Sequence, residues 1–240
     1  MKFYPINLNL KDKKVLIVGA GKVALRKFKR LLQTGAQIKI IAPKYNQKFA
    51  VYRNPESKKY IFLERKFQEK DLIGQFLVFA ATDNSELNQR IALLAREKNI
   101  LVNLIDNAEL SDFTVPAMVK RGELLLTAAS GSNLPALSKN IRKKLESDFG
   151  LEYEFLLDIM SEKRQRIIED IDSIELRKLI FREIASADFL AKIREIIADY
   201  NPQILDSSDY QPEHSEYQTV KKAIEKSILQ LIERKKYQAE

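Results

Sequence analysis

Between Lys13 and Leu32 the chain reads KKVLIVGAGKVALRKFKRLL, and this run constrains the fold more than any other. Val15 to Val18 are apolar in succession and mostly β-branched, which suits a strand buried on both faces. Gly19-Ala20-Gly21 breaks the strand. From Lys22 the spacing changes, and Val23, Phe28, Leu31 and Leu32 give a helix one apolar face. Gly35 suits the left-handed residue that closes such a helix. Ile38 to Ile41 then forms a second strand, ended by Ala42-Pro43. Strand, helix and strand in this order predict a βαβ unit with parallel strands and a right-handed crossover.

The pattern continues. Tyr60 to Leu63 reads as a short strand, Gln68 to Ile73 as a short helical turn and Phe76 to Ala81 (FLVFAA) as another buried strand. Glu86 to Lys98 predicts a helix through Leu87, Ile91, Leu94 and Ala95, and Ile100 to Ile105 a fifth strand. Alternation of this kind implies an α/β fold with a Rossmann-like, doubly wound parallel sheet. After Asp106 the texture changes. Glu123 to Ala128 predicts a strand with no helix immediately before it, and Pro135 opens a helix that runs to Phe149. From Leu151 to Tyr200 apolar residues recur at three and four, from Phe155 and Ile159 to Ile193 and Ile197, as they do in successive helices. Asn201 to Gln218 reads as a linker, and Val220, Ile224, Ile228 and Leu231 mark one last helix.

Composition removes several chemistries. With no Cys and one His (His214) there is no disulfide, no thiolate nucleophile and no multi-His metal cage, so no metal site is expected. No apolar run reaches the length of a membrane span and the N-terminus lacks a signal-peptide core, so the expected compartment is the cytoplasm. The 41 basic residues against 33 acidic ones give a net charge of +8, which suits an anionic partner. Specific nucleic-acid binding is not expected, because Trp is absent and the Tyr and Phe residues are scattered among aliphatics rather than set out for base stacking.

Gly19-Ala20-Gly21-Lys22-Val23-Ala24 is a GxGxxA placed directly between a strand and a helix. Gly19 permits the tight turn, Gly21 lets backbone approach a pyrophosphate, and Ala24 lets the helix lie close to the sheet. The free amides of Lys22 and Val23 then face an anion, with the helix dipole behind them. The other reading is a glycine turn without a ligand. A carboxylate for the ribose 2′-hydroxyl is missing from the end of the second strand, where the chain reads Ile41-Ala42-Pro43-Lys44. Spacing therefore leaves NAD and NADP open, and Pro43 and Lys44 should border the adenosine ribose. Ligands of such sheets sit outside the carboxyl ends of the strands, which brings in Thr82, Asp83 and Asp106. Either aspartate can be a turn or helix cap. Asp106, directly after an apolar strand, has the better case as a base that takes a proton while a hydride leaves toward a nicotinamide.

Tyr4-Pro5-Ile6-Asn7-Leu8, VLIVGAGKVALRK (Val15–Lys27), VFAATDNSELN (Val78–Asn88), VNLID (Val102–Asp106) and DFTVPAMVKRGELLLTAASGSNLPALSKNIRKKLE (Asp112–Glu146) together resemble the precorrin-2 dehydrogenase family of sirohaem synthesis. The likeness runs in order over roughly the first 150 residues. It implies oxidation of precorrin-2 to sirohydrochlorin, with NAD as hydride acceptor, by a homodimer. It puts the proposed general base on Asp106, cofactor contacts on Lys22, Val23, Pro43 and Lys44, and a functional loop serine on Ser130. It also implies a division into an NAD-binding Rossmann domain (1–113), a dimerisation and active-site segment (114–149) and a helical C-terminal domain (150–240).

Precorrin-2 carries acetate and propionate arms, so the positive charge gains a reading. Arg121, Lys139, Arg142 and Lys143 can pair with those arms, or they can form an ordinary solvated face. The region past Leu151 is too short and too helical to resemble the methyltransferase module fused to some relatives, and a helical cap on the substrate cleft is the expectation. His214 is expected on the surface. Two alternatives stay open: an enzyme that also inserts iron as a sirohydrochlorin ferrochelatase, and a non-catalytic NAD-sensing module.

Overall fold

The computed structural model describes residues 3–54, 56–131, 134–200 and 215–239. The chain separates into two compact units, Met1–Val115 and Pro116–Glu240.

The first unit is built on five parallel strands in the order β3-β2-β1-β4-β5. These are β1 (Lys14–Val18), β2 (Gln37–Ile41), β3 (Tyr60–Leu63), β4 (Leu77–Ala80) and β5 (Leu101–Leu104). Two helices complete the frame, α1 (Lys22–Leu31) after β1 and α2 (Ser85–Glu97) after β4. Alternation along β1 explains its unbroken apolar run, since neighbouring side chains point to opposite faces. Val15 and Ile17 pack with Ala24, Leu25 and Phe28 of α1, whereas Leu16 and Val18 pack with Ile91, Ala92 and Ala95 of α2. Phe28 anchors the first layer among Phe49, Tyr52, Tyr60 and Phe62, with ring centroids 5.2–5.7 Å apart. The register joins Val18 to both Ile41 and Ala80, so the carboxyl ends of β1, β2 and β4 are level.

The outer edge of β5 is dressed by the loop that follows it. Val102 donates its N–H to Asp112 Oδ2 at 2.9 Å, and Leu104 donates its N–H to Ser111 Oγ at 2.9 Å. The backbone N–H of Asp112 donates to the Val102 carbonyl at 2.9 Å.

The second unit opens with a hairpin, β6 (Ala117–Arg121) and β7 (Leu124–Ala128), paired Met118 to Thr127 and Lys120 to Leu125. The sequence predicts only its second strand. In β6 the single buried side chain is Val119, so no alternating stripe announces it. Gly122, at φ 56°, makes the turn. Four helices follow α3 (Pro135–Asp148): α4 (Glu152–Asp170), α5 (Ile174–Ile184), α6 (Ala187–Tyr200) and α7 (Ser215–Ala239). Phe155, Ile159, Ile180, Ile193, Ile197, Val220, Ile224 and Ile228 form their shared core. The last helix begins earlier than its apolar periodicity suggests. Tyr217, expected in the linker, is buried and stacks on Phe155 with centroids 4.3 Å apart. His214 lies outside the described residues. No described helix is long and apolar enough to cross a membrane.

Candidate functional site

The order of strands reverses between β1 and β4, and in an open parallel sheet the crevice beyond that reversal is where ligands bind. Gly19 and Ala81 flank it. Gly19 has φ 110°, and a Cβ there would stand 2.2 Å from the carbonyl oxygen of Ala81. Only glycine lets the β1 turn pass this close to the end of β4. Backbone bonds stitch the rim: Gly19 N–H to the Ile41 carbonyl at 2.8 Å, Ala81 N–H to the Val18 carbonyl at 2.8 Å, and Asn46 N–H to the Ala20 carbonyl at 3.0 Å.

Gly21 does a different task. It is the N-cap of α1, in extended conformation, and no atom lies within 4 Å of the place where a Cβ would be. No side chain caps the helix, and no acidic residue occupies its first turn. The first amides of a helix have no carbonyl partner within it, so Lys22 and Val23 present bare donors at the positive end of the dipole. Ala24 is fully buried and seats the helix on the sheet. Bare amides, open space at Gly21 and no competing carboxylate suit a dinucleotide pyrophosphate.

At the tip of β2, Pro43 and Lys44 are exposed. Tyr45 pins them: its hydroxyl donates to the carbonyls of Ile40 at 2.8 Å and Leu63 at 3.1 Å. Burial pushes that hydroxyl up to about 12. It is therefore a permanent donor at neutral pH.

Thr82, Asp83 and Asp106 stand at the tips of β4 and β5. Asn84, not Asp83, caps α2, and it accepts the Leu87 N–H at 2.8 Å. Asp83 is left exposed. Asp106 is exposed as well, and Asn88 Nδ2 donates to its Oδ2 at 3.1 Å. Asn88 is fully buried on α2 and also bonds Thr82 three times: Oδ1 accepts from the N–H at 3.2 Å and the hydroxyl at 2.7 Å, and Nδ2 donates to the carbonyl at 3.1 Å. Sequence reasoning gave Asn88 no role. The signal was present, because Asn88 shares a helix face with Ile91, Ala92 and Ala95, and a polar residue on a buried face needs a partner.

Lys27 was also not anticipated. Its Nζ lies 5.0 Å from the centre of the Phe79 ring. Burial, with Arg26 and Arg30 nearby, lowers its pKa from 10.5 to about 8.

Residues 6–117 match a family model described as putative NAD(P)-binding. A siroheme synthase of Vesicomyosocius okutanii is 34% identical over 209 residues, which are 85% of this chain and 44% of that protein. The chain belongs to the siroheme synthase family. Another siroheme synthase, from Nitrosococcus oceani, is 32% identical over 193 residues, 80% of this chain and 41% of its own length. The chain thus spans less than half the length of these siroheme synthases. In fold it resembles the solved structure of SirC, a precorrin-2 dehydrogenase, with a TM-score of 0.68, 24% identity and coverage of 97% of this chain and 100% of that one.

Ser130, on which the family resemblance puts a role, and Arg142 and Arg121, read as candidates for substrate carboxylates, lie in the second unit, each with local partners. The Ser130 hydroxyl is 2.9 Å from the Leu134 carbonyl and 2.5 Å from the Ser138 hydroxyl. Arg142 pairs with Glu146 one turn along α3. Arg121, considered for substrate carboxylates, donates from Nε to the Phe149 carbonyl at 2.9 Å and from Nη2 to the Glu146 carbonyl at 3.2 Å. Its guanidinium caps the C-terminal end of α3, a task that electrostatics favours for a cation.

Proposed function

We propose that this chain is an NAD-dependent precorrin-2 dehydrogenase that forms sirohydrochlorin in the cytoplasm and works as a homodimer. One observation carries the reading. An uncapped helix start with no acidic first-turn residue and a carboxylate held by Asn88 occur at the carboxyl ends of strands in one parallel sheet. β5 stands two strands from β1, about 10 Å across the sheet at ordinary strand spacing. Family membership supplies the substrate.

NAD, when bound, accepts the two electrons of the oxidation as a hydride. The chain's own residues do the rest. The amides of Lys22 and Val23 hold the pyrophosphate, Gly21 gives it room, and Pro43 and Lys44 border the ribose. Thr82 and Asp83 line the cofactor edge at the tip of β4, on the other side of β1. Loss of a hydride leaves the substrate one proton in excess, and the Asp106 carboxylate takes that proton. Ser130 and Arg142, with Lys139 and Lys143, offer donors to the carboxylate arms of the tetrapyrrole. Arg121 contributes by fixing the end of α3. Residues 114–149 serve as the dimerisation and active-site segment.

Purified protein mixed with NAD and precorrin-2 should develop the absorption spectrum of sirohydrochlorin together with that of NADH. A mixture that stays unchanged at saturating NAD overturns the proposal.

A further inference from the structure

We infer that Asn88 is a positioning residue that fixes which oxygen of Asp106 takes the proton, by tying that carboxylate to backbone at the tip of β4. The inference rests on the reading of Asp106 as the base and assigns a role to a side chain that itself touches neither substrate nor cofactor.

The argument begins with orientation. An asparagine amide can sit in two ways that differ only in which end carries the oxygen. Here the N–H of Thr82 faces one end at 3.2 Å and can only donate, so that end is Oδ1. The Thr82 carbonyl faces the other end at 3.1 Å and can only accept, so that end is Nδ2. Nδ2 has two hydrogens. One goes to the carbonyl, and the second points at Asp106 Oδ2, 3.1 Å away. Asn88 is fully buried, so water offers that hydrogen no substitute.

Asp106 lies beyond the end of β5 and is exposed, so packing does not select its rotamer. The bond from Asn88 does. It engages Oδ2 and leaves Oδ1 to accept the proton. Because Asn88 is anchored to Thr82, the position of the carboxylate follows the cofactor edge of β4 instead of the loop that carries it. Thr82 thereby acts in two places, through its location at that edge and through its backbone groups.

The test is a double-mutant cycle with a spectroscopic arm. Turnover is measured for the wild type, Asn88→Ala, Asp106→Ala and the double variant, together with the Kd for NAD. Asn88→Ala should lose about 10–100-fold in kcat, the scale of a misplaced catalytic group, with KM and the NAD Kd little changed. In the Asp106→Ala background the same substitution should cause no further loss, since no carboxylate is left to position. An equal loss in both backgrounds, or none in the first, overturns the inference. Independently of activity, the Asn88 side-chain amide pair in a ¹H–¹⁵N spectrum should move in Asp106→Ala, and an unmoved pair overturns the link. Asp106 is exposed, so this arm holds even where Asn88→Ala fails to fold. A wild type that binds NAD yet never oxidises precorrin-2 sinks the proposed function, while the spectrum still decides whether Asn88 holds the carboxylate.

Discussion

Replacing Gly19 by alanine places a methyl carbon 2.2 Å from the carbonyl oxygen of Ala81 and 2.5 Å from its carbonyl carbon. Both are backbone atoms at the end of a central strand, so neither can turn aside. Carbon and oxygen need about 1 Å more than this, and the ends of β1 and β4 must part to provide it. That loosens two rim bonds, Gly19 N–H to Ile41 and Ala81 N–H to Val18, each 2.8 Å long. Each contributes about 1 kcal/mol, and an L-residue at φ 110° adds about 1–3 kcal/mol of backbone strain. The sum is about 3–5 kcal/mol, a large share of the 5–15 kcal/mol typical of a domain. Gly21→Ala is the internal control. Its φ is −79° and its Cβ meets nothing, so stability should stay within about 1 kcal/mol of wild type or rise slightly. The methyl group does project where the pyrophosphate must approach. Urea unfolding followed by circular dichroism, with NAD titration by calorimetry on the same samples, separates the two. The first variant should lose stability and the second should lose NAD affinity while melting normally. If Gly19→Ala unfolds within 1 kcal/mol of wild type, or Gly21→Ala binds NAD unchanged, the division of labour between these glycines is wrong.

Other outcomes follow from the same geometry. Asp106→Asn should reduce turnover by about 10²–10⁴-fold, the worth of a positioned base, with NAD binding preserved in a calorimetric titration. Lys27 is held at about 8 where it is ordinarily 10.5, so the folded state resists its charge. The resulting penalty is complete below pH 8 and fades as pH climbs toward 10.5. Lys27→Met should therefore gain about 1–2 kcal/mol at pH 7, allowing for partial exposure of the amine, and lose that advantage at pH 10; denaturant titrations at the two pH values check this. Glu152 is buried on α4, and Arg194 Nε meets its Oε1 at 2.7 Å. Arg194→Met strands that carboxylate and should cost about 3 kcal/mol, read as a lower thermal midpoint.

Much of the cofactor half is legible in the chain itself, because a parallel sheet buried on both faces imposes unbroken apolar runs, and the first two of them end at Gly19 and Pro43. Gly19 and Gly21 differ in a way that spacing hints at and only packing establishes. β6 escapes a reading by pattern since Val119 is its single buried residue, so neither an alternating nor a continuous apolar signal arises. Tyr217 escapes for the opposite reason: it precedes the periodic part of α7, and its burial depends on Phe155, distant in sequence. At the site, Asp106 stands out as an acid after an apolar strand, but nothing local reveals that Asn88, on another element, holds it. Asp83 and Asn84 show the limit of local reasoning: both are good helix caps by residue type, and the cap falls to Asn84.

Ser111 and Asp112 occupy the flank of β5 where a sixth strand would otherwise lie. Two short side chains thereby block lateral growth of the sheet, and a neighbouring chain that tried to add a strand would find the Val102 and Leu104 donors already taken. Self-association through that flank is closed off, which leaves the loop bearing Asp106 outside any strand-swapped contact.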